Sequence, residues 1–400
     1  MINYFKTHEL SRRLLCMVLI LGVFIVGRNI VLYKVDVSVL IEQNKEVDNI
    51  LLSAVSGDLN RYSIFALGIM PYMSASILMQ IVLLVLPKDT RKRISKHKTE
   101  KITLIGAFIF ACFLAYSRAN ELVYIECNLS KLVLICISII EMILGAMLII
   151  YICHINKDYG VGGQTPIILI NVVEGLYTSI KSNLYSITYL LVILCLAILF
   201  ITLLIENVEL HIPVQRVSIH NIYADKNYIA FKLNPIGIMP VMFSSSIFIL
   251  VKYIFYALGG VFKDNTFLLN LNANMDLTSK TGVNTYLIIV FLFTIIFSFA
   301  MLAPSDMADN LQKGGDSIVG VYAGKDTKRY FFFAILLLSV ISGLVLSSCM
   351  ALSLYLSLLG NVSSDLATLP SSIMILVSVL SNMLSEAYSY YKLDMYKFFI

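Results

Sequence analysis

The sequence predicts an all-α integral membrane protein with ten transmembrane helices arranged as two inverted halves of five. Three observations predict it. First, 58% of the 400 residues are hydrophobic and only 14% are charged, whereas soluble domains carry about 25% charged residues. Second, long apolar runs alternate with polar segments, and Lys and Arg are distributed unequally between successive polar segments. Third, two apolar runs, 63–86 and 235–256, share an unusual content of Gly, Pro and Ser and hold matching places in the order of runs. The net charge of +5 is too small to argue for a nucleic-acid partner.

The first span is 14–33, preceded by Lys6, Arg12 and Arg13, with Arg28 near its outer end. A signal peptide opens similarly, but no small-residue cleavage site follows. Residues 34–62 are polar and acidic around a short apolar piece, 50–55, that is too short to span. The second span, 63–86, has 24 residues without an ionisable side chain, enough to cross a hydrocarbon core of about 30 Å. Gly68, Pro71, Ser74, Ala75 and Ser76 occupy its front half. Small residues let another backbone approach and Pro71 removes a hydrogen-bond donor, so this helix is expected to face protein or a cavity. Seven Lys and Arg follow in 88–101.

Span three is 102–116. Span four is 132–153, with Glu141 inside and Ser138 and Gly145 on neighbouring turns; an intramembrane carboxylate marks either a functional site or a helix contact. A polar link holding the glycines at 160, 162 and 163 leads to a short, less apolar fifth span, 166–176. Asn171 and Glu174 place that span in the bundle interior or along an aqueous cavity. Span six is 184–205. The polar segment 206–234 alternates like a hairpin that projects from the membrane. Span seven is 235–256, span eight 283–302, span nine 330–349 with a possible extension to 359, and span ten 371–391. Between spans eight and nine, 304–329 reads as a polar, Gly-rich loop.

Ten spans place both termini on one side. The segments on that side carry 20 of the 30 Lys and Arg and the opposite segments 9, which predicts cytosolic termini. Five spans per half force the halves, 1–182 and 183–400, to be inverted. Unusual helices at equivalent places of inverted halves point to a pathway at their interface. No HExxH, P-loop or GxSxG motif is present, and the five His form no ligand spacing. Six of the seven Cys lie in or at the edge of apolar stretches, no two closely spaced, like small buried hydrophobes. The expectation is a protein that is not an enzyme and needs no cofactor.

Four strings carry a family resemblance: SIFALGIMPYMSAS at 63–76, HIPVQR at 211–216, NPIGIMPVMFSSSIFIL at 234–250, and APSDMADNLQKGGDSIVGVYAGKDTKRY at 303–330. In order and placement they resemble SecY, the central subunit of the protein-conducting channel, along essentially the whole chain. The resemblance implies an hourglass of two halves with a lateral gate, where Pro71, Ser74 and Ser76 of span two face Pro240, Ser244 and Ser245 of span seven. It implies an apolar pore ring of Ile69, Met73, Ile167, Ile170, Met242 and Val379 (or its neighbour Leu380), which dewets when empty and makes a soft gasket. It also implies a plug at about 48–62 with Ile50, Leu51, Leu52, Ala54 and Val55. Arg216, Lys313, Tyr322, Lys325, Lys328 and Arg329, on the cytosolic loops 206–234 and 304–329, would dock a motor ATPase. Ordinary core packing is the alternative reading of the ring residues, weaker for Ile69, Met73 and Met242 than for the rest, and solvated loop charge is the alternative for the basic ones.

The departures fall mainly on the motor-facing side. Tyr322 stands where the family usually carries Arg in a Gly-Ile-Arg-Pro-Gly string, and Glu209, Leu210 and His211 replace basic residues before IPVQ. This pattern suggests an accessory SecY paralogue in a bacterial cytoplasmic membrane. Its implied partners are a dedicated SecA-type motor, a small SecE-like subunit, accessory secretion proteins, membrane lipid and an exported serine-rich glycosylated polypeptide. A housekeeping SecY is one alternative. A secondary transporter of a small solute is another, because inverted halves and broken helices fit it too; the apolar character of Ile69, Met73 and Met242 speaks against it.

Overall fold

The computed structural model describes residues 9–36, 62–86, 94–125, 130–182, 189–216, 227–235, 279–358 and 369–397, with 237, 239–241, 244, 247–248 and 251 between them. The plug residues Ile50, Leu51, Leu52, Ala54 and Val55, together with Met242 and Ser245, lie outside the described residues. The chain forms two compact units, 1–185 with 364–400 and 186–363.

The first unit contains α1 (Glu9–Arg28), α2 (Met70–Val85), α3 (Lys96–Glu121), α4 (Lys131–Tyr159), α5 (Thr165–Ser182) and α10 (Leu369–Lys397). Helix α3 starts at Ser95, whose hydroxyl accepts from the Lys98 N–H at 3.4 Å. Its inner face is a ladder of Ala107, Ala111, Ala115 and Ala119, all fully buried. Methyl side chains four residues apart let α2 and α4 approach closely. In a lipid solvent, where apolar surface alone does not drive association, that close packing is what holds helices together. Ala66 and Leu67 before α2, and Met142 and Ala146 of α4, complete this core. The opposite face of α3 exposes Ile105, Ile109 and Phe113, as a lipid-facing surface should.

The second unit contains α6 (Tyr189–Asn207), β1 (Glu209–Arg216), β2 (Tyr228–Lys232), α7 (Lys280–Leu302), α8 (Pro304–Gly314), β3 (Asp316–Ile318) and α9 (Lys325–Leu358). The expected hairpin is present: β1 and β2 pair antiparallel from Glu209 opposite Lys232 to Pro213 opposite Tyr228. Segment 304–329 is not a plain loop. Ala303 takes a left-handed φ of 38° that ends α7, and Pro304 starts α8 at a position where its missing N–H costs nothing. Gly315, at φ 71°, stops α8 and turns the chain into β3. Strand β3 then pairs with β1, Arg216 opposite Asp316, giving the sheet order β2-β1-β3. Ile212 and Ile318 from the sheet, Phe231, Ala308 of α8, and Phe331, Ile335 and Leu338 of α9 share one core.

Among the described residues six helices are long and apolar enough to cross a membrane: α1, α3, α4, a combined α7–α8 stretch, α9 and α10. Two shorter apolar helices, Met70–Leu83 and Leu191–Asn207, accompany them. Most of the expected seventh span lies outside the described residues. Among the described residues Cys136 departs from expectation on the exposed face of α4, while Cys153 and Cys349 are buried; Cys127 lies outside the described residues.

Candidate functional site

Helix α2 is launched by an unusual approach. Residues 63–69 coil as turns, and Gly68 takes a left-handed φ of 55° before the helix begins. Ile69 is fully buried and Met73 is 2% exposed, so the front of α2 packs inward, as its small residues predict. Pro71 is buried. The Ser74 hydroxyl donates to the Met70 carbonyl at 3.0 Å and the Ser76 hydroxyl to the Met73 carbonyl at 2.9 Å. Both hydroxyls are thus satisfied by their own helix and present a smooth, small surface. The second unit repeats the arrangement: Pro240 and Ser244 are buried, and the Ser244 hydroxyl donates to the Pro240 carbonyl at 2.6 Å.

In the first unit α5 packs against α10. Ile167 and Val379 are buried, Ile170 is half-buried, and Leu380 is exposed. Asn171 of α5 is buried beside them in sequence, and Glu174 is ion-paired with the buried Arg28 of α1. Asn171 is thus enclosed by protein, while Glu174 keeps 37% of its side chain exposed.

The glycine link before α5 is held by Asn156 near the end of α4 and by side chains distant in sequence. Gly162 (φ 78°) and Gly163 (φ 53°) are left-handed. The Asn156 amide donates to the Val161 carbonyl at 3.0 Å and the Gly163 carbonyl at 2.6 Å. A carboxylate from α10, Glu386, accepts from the Gly162 N–H at 2.9 Å. Arg13 of α1 donates to the carbonyls of Asp158 at 3.2 Å and Gly160 at 3.0 Å, and its guanidinium lies 4.2 Å from the Tyr390 ring centre. Asp394 accepts from the Glu9 and Leu10 N–H groups at 2.9 and 3.0 Å, a cap supplied to α1 by α10. This clasp joins the start of α1, the link before α5 and the end of α10. Sequence reading missed it, since no local pattern pairs residue 9 with residue 394.

The surface of the second unit carries the remaining predicted residues. Tyr322 is 84% exposed at the tip of a turn whose Gly320 (φ 79°) and Gly324 (φ 104°) are both left-handed. The Thr327 hydroxyl donates to the Tyr322 carbonyl at 2.9 Å and fixes that turn. Lys313 and Lys325 are exposed. Lys328 is 2.7 Å from Asp309 of α8, a pair that ties α8 to α9, and the Arg329 guanidinium lies 5.9 Å from the Phe333 ring centre. Arg216 closes β1. On the hairpin's exposed side His211 stacks on Tyr228, ring centroids 4.0 Å apart. Among the described residues no three His, Cys, Asp or Glu side chains converge as a metal site.

Residues 63–384 match the SecY family. An accessory Sec system protein translocase subunit SecY2 of Leuconostoc gelidum subsp. gasicomitatum is 27% identical over 402 residues, covering 96% of this chain and 95% of that relative. A protein translocase subunit SecY of Streptococcus sanguinis is 26% identical over 405 residues, covering 94% of this chain and 92% of that relative. The fold is similar to a solved protein-conducting channel with a TM-score of 0.65 at 15% identity, over 96% of this chain and 93% of that one.

Proposed function

The chain belongs to the SecY family of protein-translocation channels, and we propose that it is the central subunit of an accessory channel that exports particular proteins across a bacterial cytoplasmic membrane. In this reading ten spans form two inverted halves, both termini are cytosolic, and Pro71, Ser74, Ser76, Pro240, Ser244 and Ser245 line the lateral gate. Ile69, Met73, Ile167, Ile170, Met242 and Val379 form the ring, and 48–62 forms the plug. A dedicated SecA-type ATPase drives transport, with Arg216, Lys313, Tyr322, Lys325 and Arg329 offered to it. Lys328, paired with Asp309 and 40% exposed, belongs to the same offered surface. The cargo is a large serine-rich glycosylated polypeptide.

One observation carries the accessory reading. The turn 320–324, read here as motor-facing, presents an exposed aromatic ring, Tyr322, between two left-handed glycines, where the family's usual pattern has a guanidinium. A phenol on a fixed turn cannot form the bidentate, charge-assisted contacts of Arg, so a motor fitted to it must differ at that contact. The similarity to the Leuconostoc relative over 96% of the chain supports the same reading. The housekeeping alternative has its own support in the Streptococcus sanguinis relative.

Deleting the gene in its host separates them. Viable cells that lack one or a few very large serine-rich surface proteins are expected. Lethality with a general secretion block overturns the accessory reading in favour of a housekeeping channel.

A further inference from the structure

The carboxylates inside the fourth and fifth spans hold the end of α1 and the short strap that follows it. Glu174 of α5 is ion-paired with Arg28, the last residue of α1, which is 4% exposed. Glu141 of α4 accepts from the Tyr33 N–H at 3.0 Å. The strap, 29–36, is in turn paired by its backbone to two other chain segments. The Leu32 N–H donates to the Tyr62 carbonyl at 2.8 Å and the Ile64 N–H to the Ile30 carbonyl at 3.0 Å. The Asp36 N–H donates to the Val123 carbonyl and the Ile125 N–H to the Lys34 carbonyl, each at 3.0 Å.

The partner segment 62–64 runs directly into the approach to α2, and that approach is fitted as closely as the strap. A Cβ on Gly145 of α4 would collide with the Ile64 carbonyl. A Cβ on Gly27 would collide with the Phe65 ring, which stacks on Phe24 at 5.9 Å. Arg118 of α3 donates to the Ala66 carbonyl at 3.2 Å. A continuous path of bonded groups therefore links the two intramembrane carboxylates to the launch of α2, all within the first unit.

We propose that Glu174, Arg28 and Glu141 are positioning residues of the channel: they anchor the strap that sets where α2 begins, and so hold Ile69 and Met73 at the constriction. This rests on the reading of α2 as a ring-bearing helix. The alternative role for intramembrane carboxylates, coupling to a transported ion, requires groups that exchange partners. Here one carboxylate is committed to a guanidinium and the other to a backbone N–H. Arg28 is buried while Glu174 keeps 37% of its side chain exposed, so removing Glu174 strands a guanidinium in a low-dielectric site, which costs more than removing both partners. A strap so destabilised would let the front of α2 shift and the ring part.

The test is ion flux through the purified full-length protein in phosphatidylethanolamine–phosphatidylglycerol liposomes, without motor or cargo. Wild type is expected to be tight. Glu174→Gln, which strands the buried Arg28, is expected to raise chloride flux about tenfold, and Arg28→Gln and Glu141→Gln less. The reversed pair, Arg28→Glu with Glu174→Arg, should return flux toward wild type. Gly145→Ala displaces the Ile64 carbonyl without altering a charge and should leak as well. Thermal unfolding of each variant is recorded alongside, so that a folded leaky channel is told from a damaged one. Should Glu174→Gln not accumulate, Glu141→Gln and Gly145→Ala decide the matter. Folded variants as tight as wild type, or a reversed pair as leaky as the single changes, overturn the proposal. Because no motor or cargo is present, a failure of the accessory reading appears only in the deletion experiment and leaves this result standing.

Discussion

Replacing Asp394 by Ala tests the clasp at its most local point. Its two carboxylate oxygens accept from the Glu9 and Leu10 N–H groups at 2.9 and 3.0 Å, two first-turn donors with no partner in their own helix. Loss of a capping side chain costs about 1 kcal/mol. Removing a negative charge from the positive end of a helix costs about 0.5 kcal/mol more where the site is partly buried. The sum, about 1.5 kcal/mol, corresponds to roughly a tenfold rise in the open fraction of that turn. Arg13 keeps its own bonds to Asp158 and Gly160, so the rest of α1 should stay closed. Amide hydrogen exchange of the protein in nanodiscs, followed by mass spectrometry, reads the effect. The peptide over 9–16 should exchange about tenfold faster, and peptides from α4 should not change. Asp394→Asn, which retains one acceptor oxygen but no charge, should fall between. Exchange of 9–16 within twofold of wild type would show that the carboxylate does not cap α1 and would refute the reasoning.

Three further outcomes follow from the same geometry. Phe331→Ala removes a fully buried ring that packs against Phe231 at 5.8 Å. It should destabilise the second unit's sheet by about 3–5 kcal/mol, seen as lost exchange protection in β1 and β2. Tyr322→Ala should change unfolding by less than about 0.5 kcal/mol, because the ring is exposed, yet lower motor-driven export in a reconstituted assay; equal export would remove Tyr322 from the docking surface. On the proposed reading of Met73 as a ring residue, Met73→Asn puts an amide into the constriction and should raise motor-free ion flux by wetting it; an unchanged flux would take Met73 out of the ring.

What the sequence makes legible is what depends on neighbours along the chain. The small-residue front of α2, the polar fifth helix and the β1–β2 hairpin are each written in a window of a few residues, and the structure has all three. The IPVQ alternation puts Ile212 and Val214 inward and His211, Pro213 and Gln215 outward. Strand β3 escaped notice because three residues carry no period, and its edge is specified by β1, distant in sequence. Helix α8 was hidden by its polar composition, although Pro304 and Gly315 mark its two ends. Arg28, Glu174 and Glu141 were visible as unusual charges, but which of them meet is decided by helix packing. The clasp of Arg13, Glu386 and Asp394 is purely tertiary.

The sheet has a consequence for how the protein is made. Arg216 of β1 pairs with Asp316 of β3 across one hundred residues of chain. During synthesis the hairpin is complete while α7 and α8 are still unmade, so one edge of β1 waits with open hydrogen-bonding groups and Ile212 and Val214 uncovered. An edge of that kind is a template for wrong partners, and closing it late is slow because the loop entropy must be met first. Completion of the second unit is thus timed by the emergence of three residues, 316–318, after an intervening membrane helix has been inserted. Slowing elongation between the codons for 232 and 316 should lengthen that vulnerable interval and lower the yield of intact protein.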